Sequence, residues 1–369
     1  MDRLNHLYYE QGQSPWLDNL KRSYLTSGKL RELVAFGIRG LTSNPTIFQK
    51  AIQGSADYDE QQRALVASGA SVSDQYWAMV LADIDGALDE FSALYLHSFG
   101  TDGFVSVEVA PSLAHDSPGT EAAARALHLR VDRPNVMVKI PATEAGIPAI
   151  RKMIAEGRNI NITLIFSLDR YQKVMDAYID GLEEYAQTVD ADLAHVASVA
   201  SFFISRVDSE VDGRLDAIGT PEALALKGKA AIAQAKLAYQ AFRHTFSGPR
   251  WEALAADGAV VQRPLWASTS TKNPSYPDTL YVDALIGPDT VNTLPDATIE
   301  AFADHGRAAR TIDAGVADAE LTWRRLAEIG VDMEEVAGKL ERDGVASFQK
   351  SFDDLLDALG AKAAQLAPS

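Results

Sequence analysis

The sequence predicts an α/β protein, a (β/α)8 (TIM) barrel with additional helices, and three observations lead there. Eight short β-rich segments can be picked out, each with helix-like sequence before the next. Several of them are continuous apolar runs rather than alternating ones, as strands buried on both faces of a helix-covered parallel sheet are. Neither GxGxxG nor GxxxxGK[ST] occurs, although an open, doubly wound sheet would need such a loop to hold a nucleotide.

Taken in order, the strands are expected at 15–17, 37–42, 104–107, 136–140, 160–165, 195–200, 260–267 and 280–286. Between the second and third, Tyr76, Val80, Ile84, Leu88, Phe91 and Tyr95 recur at helical spacing, so 73–98 reads as an amphipathic helix. Ser167-Leu168-Asp169 after the fifth strand reads as a helix cap, and Thr220-Pro221-Glu222 as a cap with proline in the first turn. The stretches 221–246 and 318–359 read as helical decorations on one barrel domain covering 1–369. Their apolar stripes (Leu321, Leu326, Ile329; Leu355, Leu356, Leu359) are expected to pack on the outside of the barrel.

Composition narrows the function. The 369 residues are 47% hydrophobic, enough for a large core. Fifty-one acidic against 34 basic residues give a net charge of -17, the wrong sign for holding a nucleic-acid backbone, so no nucleic-acid partner is expected. A site for a small anion would then need a local cluster of cations working against the general field. The absence of cysteine removes disulfides, thiol nucleophiles and Cys-based metal sites. The seven histidines show no paired metal-ligand spacing; His195 and His244 read as structural, and no metal or cofactor is expected. The polar first ten residues and the lack of any apolar run near the roughly 18 residues of a membrane span point to a soluble, cytoplasmic protein with no membrane partner.

In a barrel of this kind the site lies at the carboxyl ends of the strands, and these ends are polar: Asp18, Asn44, Glu108, Lys139, Asn161 with Thr163, Ser201 and Ser268. Lys139, in NVMVKIP, stands out because lysine suits a central strand poorly and is seldom buried alone. It is either one half of a structural ion pair or an amine made nucleophilic by desolvation, able to form a Schiff base with a ketone. Glu108 on the neighbouring strand is either its counter-ion or a proton-exchanging group. Asp18 reads equally as an N-cap, and Asn44 as a turn or helix start within Ser-Asn-Pro. Asn161 and Thr163 alternate with Ile160, Ile162 and Leu164, so the two polar residues share the interior face. Arg206 and Lys272 would bring cations above the sixth and seventh strands, where they suit a terminal phosphate. A surface pair with Asp208 or Glu210 is the blander reading of Arg206, and on residue pattern the one to prefer.

Five blocks carry a resemblance along nearly the whole chain: LTSNPTIF (41–48), VEV (107–109), VMVKIPA (136–142), NINITLIFS (159–167) and ASTSTKN (267–273). In this order and separation the chain resembles the transaldolases, in particular their longer bacterial form. The resemblance implies a cofactor-free transferase of the non-oxidative pentose phosphate pathway. It would move a dihydroxyacetone unit between sedoheptulose 7-phosphate/glyceraldehyde 3-phosphate and erythrose 4-phosphate/fructose 6-phosphate. Lys139 would form the Schiff base, Glu108 and Thr163 would position a proton-shuttling water, and Asp18 would take the hydroxyl proton as the carbon-carbon bond breaks. Asn44 and Asn161 would hold the dihydroxyacetone hydroxyls, and Ser201, Arg206, Ser268 and Lys272 the phosphate. Lys272 stands where the shorter members would have an arginine, in a loop two residues longer, so a point charge replaces a planar fork. Phe203 favours transfer over the related fructose-6-phosphate aldolases, which would carry tyrosine there. A non-catalytic sugar-phosphate-binding barrel is the alternative of another class. Partners would be sugar phosphates, with a monomer and a homodimer both open.

Overall fold

A computed structural model describes residues 3–366. The remainder of the expected 1–369 domain, residues 1–2 and 367–369, lies outside the described residues.

Eight parallel strands close into a barrel in chain order: β1 Gln13–Leu17, β2 Gly40–Thr42, β3 Phe104–Glu108, β4 Val136–Pro141, β5 Ile160–Ile165, β6 Ser198–Phe203, β7 Arg263–Ala267 and β8 Thr290–Leu294. Helices surround it, so the (β/α)8 expectation holds. The helix at 73–98 is present as Val72–His97, and the caps at Ser167 and Thr220 accept the Arg170 and Ala223 backbone N–H groups at 3.0 and 3.2 Å.

The eighth strand is a correction. Residues 280–286 contain the helix Leu280–Ala284, and the strand that closes the barrel begins ten residues later, at Thr290. The apolar run there belongs to a helix buried at Tyr281 and Val282, while the real strand, TVNTL, carries three polar residues, of which Thr293 faces the cavity inside the barrel. The Gly287-Pro288-Asp289 turn that separates the two was the available signal. The sixth strand is likewise shifted, to Ser198–Phe203, and His195 ends a short 3-10 turn where its Nδ1 pairs with Asp192 at 2.7 Å.

Two local features shape the interior. A Cβ on Gly40 would lie 2.5 Å from the Trp16 ring, so glycine on β2 is what lets the indole occupy the barrel. On β5 the pairing with β6 slips between Ile162 and Ile165, and Leu164 has φ +59°. This irregularity ends the alternation at Thr163 and turns Leu164 to the barrel mouth beside Glu108, not outward with Ile160 and Ile162.

The two helical decorations have different fates. Ala230–Thr245 and Val316–Glu328 pack against each other, burying Leu326, but Leu321 of the expected stripe is 37% exposed. The long helix Met333–Leu366 instead lies across the carboxyl-terminal mouth, where Phe348 faces the polar strand ends. Its buried stripe, including Leu355 and Leu359, covers the helices that follow β2 and frame the mouth.

Candidate active site

Lys139 and Glu108 are register partners on β4 and β3, so adjacency of the two side chains is built into the sheet. They are 4% and 8% exposed, and Lys139 Nζ lies 3.3 Å from Glu108 Oε2. The amine also donates to the Ser43 carbonyl at 3.0 Å. Its surroundings are therefore one carboxylate, one carbonyl and an open side. That open side is a cavity of about 60 Å³ lined by Asp18, Thr42, Asn44, Thr163, Ser201, Phe203, Arg206, Ser268, Thr293 and Phe348.

Asp18 is not an N-cap. It lies beyond β1 and accepts a hydrogen bond from Thr42 Oγ1 at 2.8 Å; Thr42 Oγ1 is also 2.6 Å from Thr293 Oγ1. Burial pushes its carboxyl above the ordinary range, opposed first by Lys139, then by the Thr42 hydrogen bond, Arg206 and Lys272. Burial likewise raises Glu108, opposed mainly by Lys139. Both carboxyls are thus better proton acceptors than free ones, and Lys139 is the first charged group acting on each.

Asn44 combines its two readings: Oδ1 caps the Pro45–Gln53 helix by accepting from Ile47 N at 3.0 Å, and the residue lines the cavity. Asn161 lies beneath the lining with no exposure. It donates to Ser106 Oγ at 3.0 Å and accepts from Ser201 Oγ at 2.7 Å, which leaves one amide hydrogen uncommitted. Ser201 therefore already spends its one hydroxyl hydrogen on Asn161. Thr163 Oγ1 is buried without a hydrogen-bond partner among the described residues, and Glu108 Oε2 has only the ion pair with Lys139. A buried oxygen left as Thr163 Oγ1 is carries a cost unless a water or substrate group satisfies it.

Arg206 makes no surface pair. Asp208 instead accepts from the Ala231 amide and Tyr281 hydroxyl, and Glu210 pairs with Arg214 and Lys339. The Arg206 guanidinium sits between two rings, 5.1 Å from the Phe203 centroid and 5.8 Å from Phe348, with its N–H groups free of protein acceptors among the described residues. Ser268, at φ +57°, brings its hydroxyl within 3.3 Å of Ser205 Oγ at the same rim. Lys272 is exposed and donates to Ser270 at 2.7 Å; it does not line the cavity, but it is close enough for Arg206 to help depress its pKa, after burial.

Residue reading had missed Ser43, Ser106, Thr42, Thr293 and Phe348. Ser43 acts through its carbonyl, which no side-chain pattern reveals. Thr293 was lost with the eighth strand, and Phe348 is more than 140 residues from the nearest other ring at the site, Phe203.

Residues 15–359 match the family described as Transaldolase/Fructose-6-phosphate aldolase. The chain belongs to the transaldolase/fructose-6-phosphate aldolase family. Among its relatives, a protein of Parafrankia sp. (strain EAN1pec) named transaldolase is 54% identical over 94% of this chain and 95% of its own. One of Frankia alni is 52% identical over 94% of each chain, and one of Mycolicibacterium smegmatis 50% identical over 94% of each; both carry the same name. The matched residues include Lys139 and Glu108.

Proposed function

We propose that this chain is a transaldolase that carries a dihydroxyacetone unit from a ketose phosphate to an aldose phosphate through a Schiff base on Lys139. The observation that carries the reading is one buried amine ion-paired with Glu108 and lining a cavity with Asp18, two carboxyls whose proton affinity burial has raised. Sedoheptulose 7-phosphate and fructose 6-phosphate are the donors proposed, glyceraldehyde 3-phosphate and erythrose 4-phosphate the acceptors, in a cytoplasmic setting.

Lys139 adds to the ketone, and Glu108 with Thr163 holds the water that moves protons as the carbinolamine loses its hydroxyl. The unpartnered Thr163 Oγ1, in a site where Glu108 Oε2 has only its ion pair with Lys139, is what supports that assignment. Asp18 removes the proton from the hydroxyl on the far side of the breaking bond, and the electrons of that bond flow into the iminium, giving an enamine. The aldose phosphate leaves, and the next aldehyde adds to the same carbon with each proton transfer reversed, so kinetics are ping-pong. Asn44, through its free amide hydrogens, and Asn161, through its single uncommitted one, hold the three-carbon hydroxyls. Arg206, Ser268 and Lys272 donate to the phosphate; Ser201, its own hydrogen given to Asn161, offers lone pairs and acts from the deep end.

Borohydride reduction in the presence of fructose 6-phosphate, followed by peptide mass mapping, is the test. A three-carbon adduct on Lys139 is the expected result. A folded protein with no modified lysine would sink the Schiff-base reading and leave a non-catalytic barrel.

A further inference from the structure

Phe348 is placed where a side chain can decide what becomes of the three-carbon intermediate. It is 4% exposed and lines two spaces at once: the cavity that holds Asp18, Lys139 and Arg206, and a smaller one bounded by Glu108, Pro141, Leu164 and Val345. Phe348 is therefore shared by the space beside the amine and the space beside Glu108. The helix that carries it is held at that height on both sides. Glu341 pairs with Arg170 at 3.4 Å before Phe348, and after it Ser351 Oγ lies 2.8 Å from Thr46 Oγ1, on the helix that Asn44 caps. One turn before Phe348, a Cβ on Gly344 would be 3.0 Å from Leu164 Cδ2 and 3.5 Å from Arg206 Nη1, so glycine lets the helix descend onto the mouth. With the roof this low the cavity is about 60 Å³.

We propose that Phe348 keeps bulk solvent, as a source of protons, from the enamine carbon of the three-carbon unit held on Lys139 and so commits the site to transfer instead of release. The inference rests on the Schiff-base reading above. Release needs two additions to the enamine: a proton to the carbon that had broken its bond, regenerating the iminium, and a water oxygen to the iminium carbon. Dihydroxyacetone then departs and the lysine amine returns. No oxidant or reductant enters, and hydrolysis of an iminium ends the transfer route as well, so protonation of the enamine carbon is the step that separates release from transfer, and an apolar ring that keeps bulk solvent from that carbon limits it. Phe348 acts by position and by exclusion, with no step of its own; it also stacks on Arg206, which orients the phosphate donors.

The test compares dihydroxyacetone released from fructose 6-phosphate without acceptor against transfer to erythrose 4-phosphate, in the full-length protein. In Phe348→Ala the ratio of release to transfer should rise roughly tenfold, a change in relative barrier of about 1.4 kcal/mol. Phe348→Val opens less space, should give a smaller rise, and carries the test if the alanine variant does not fold. A folded variant with the wild-type ratio, whatever its kcat, overturns the proposal, since loss of structure alone would slow both outcomes together. Borohydride adducts separate the two readings: an adduct on Lys139 with an unchanged ratio defeats this inference alone, and no adduct in the wild-type protein defeats both.

Discussion

In the proposed mechanism a single carboxylate, Asp18, serves catalysis at the expense of the fold. Burial raises its proton affinity above that of an ordinary aspartate, near 3.8, despite Lys139 and the Thr42 hydrogen bond. A carboxyl that is harder to ionise folded than unfolded contributes stability below pH 3.8 and loses it as pH rises through the folded value, so at neutral pH its charge is a net cost. Asp18→Asn should therefore raise the urea midpoint at pH 7 while abolishing turnover; a lower midpoint would show that attraction to Lys139 and Arg206 outweighs desolvation. The same raised carboxyl should place the acid limb of kcat/KM above the normal aspartate range in the wild-type enzyme. The placement of several of these residues was legible from position alone. Lys139 and Glu108 were visible because each interrupts an apolar strand, and Asn161 with Thr163 because a period of two puts them on one face. Arg206 was not: helical neighbours Asp208 and Glu210 offered it plausible partners, and only packing shows both carboxylates taken by other groups.

Among the elements, the helix Ser117–Val131 between β3 and β4 carries its own pH sensitivity. His128 is 7% exposed and pushed down to about 4 from 6.5, by burial first and then by Arg158, and its Nε2 has no hydrogen-bond partner among the described residues. It is neutral in the folded protein and charges on unfolding below pH 6.5. Stability is complete above that value and is lost as pH falls toward 4, by about 3 kcal/mol in all. His128→Gln should flatten the urea midpoint between pH 6.5 and pH 4; a slope equal to wild type would place the acid sensitivity elsewhere. Element prediction failed at β8 for a related reason. The run at 280–286 is apolar because a short helix is buried there, and an apolar segment this brief does not disclose its period.

The whole barrel sets its two ends to different work. At the end opposite Lys139, Asp102 is fully buried and accepts from Ser14 Oγ at 2.7 Å, Arg39 Nε at 2.8 Å and Arg263 Nη1 at 3.2 Å, joining β1, β7 and the loops before β2 and β3. Removing that carboxylate leaves two guanidinium groups without their counter-charge, so Asp102→Ala should cost about 3–5 kcal/mol in urea unfolding. Because the network is remote from the lysine, kcat/KM should survive in whatever fraction folds, and a specific loss of turnover at full stability would contradict the division. Strand count, barrel class, the lysine and most of the polar strand ends were determined by the sequence itself, since local periodicity and the cost of burying charge leave their mark residue by residue. What only the tertiary structure decided were the contacts that cross the chain: the Ser43 carbonyl on Lys139, the release of Arg206 from its neighbours, and the last helix over the mouth. An amphipathic stripe records that a helix is covered on one side, but not by what, so the path of Met333–Leu366 and the place of Phe348 had to come from packing.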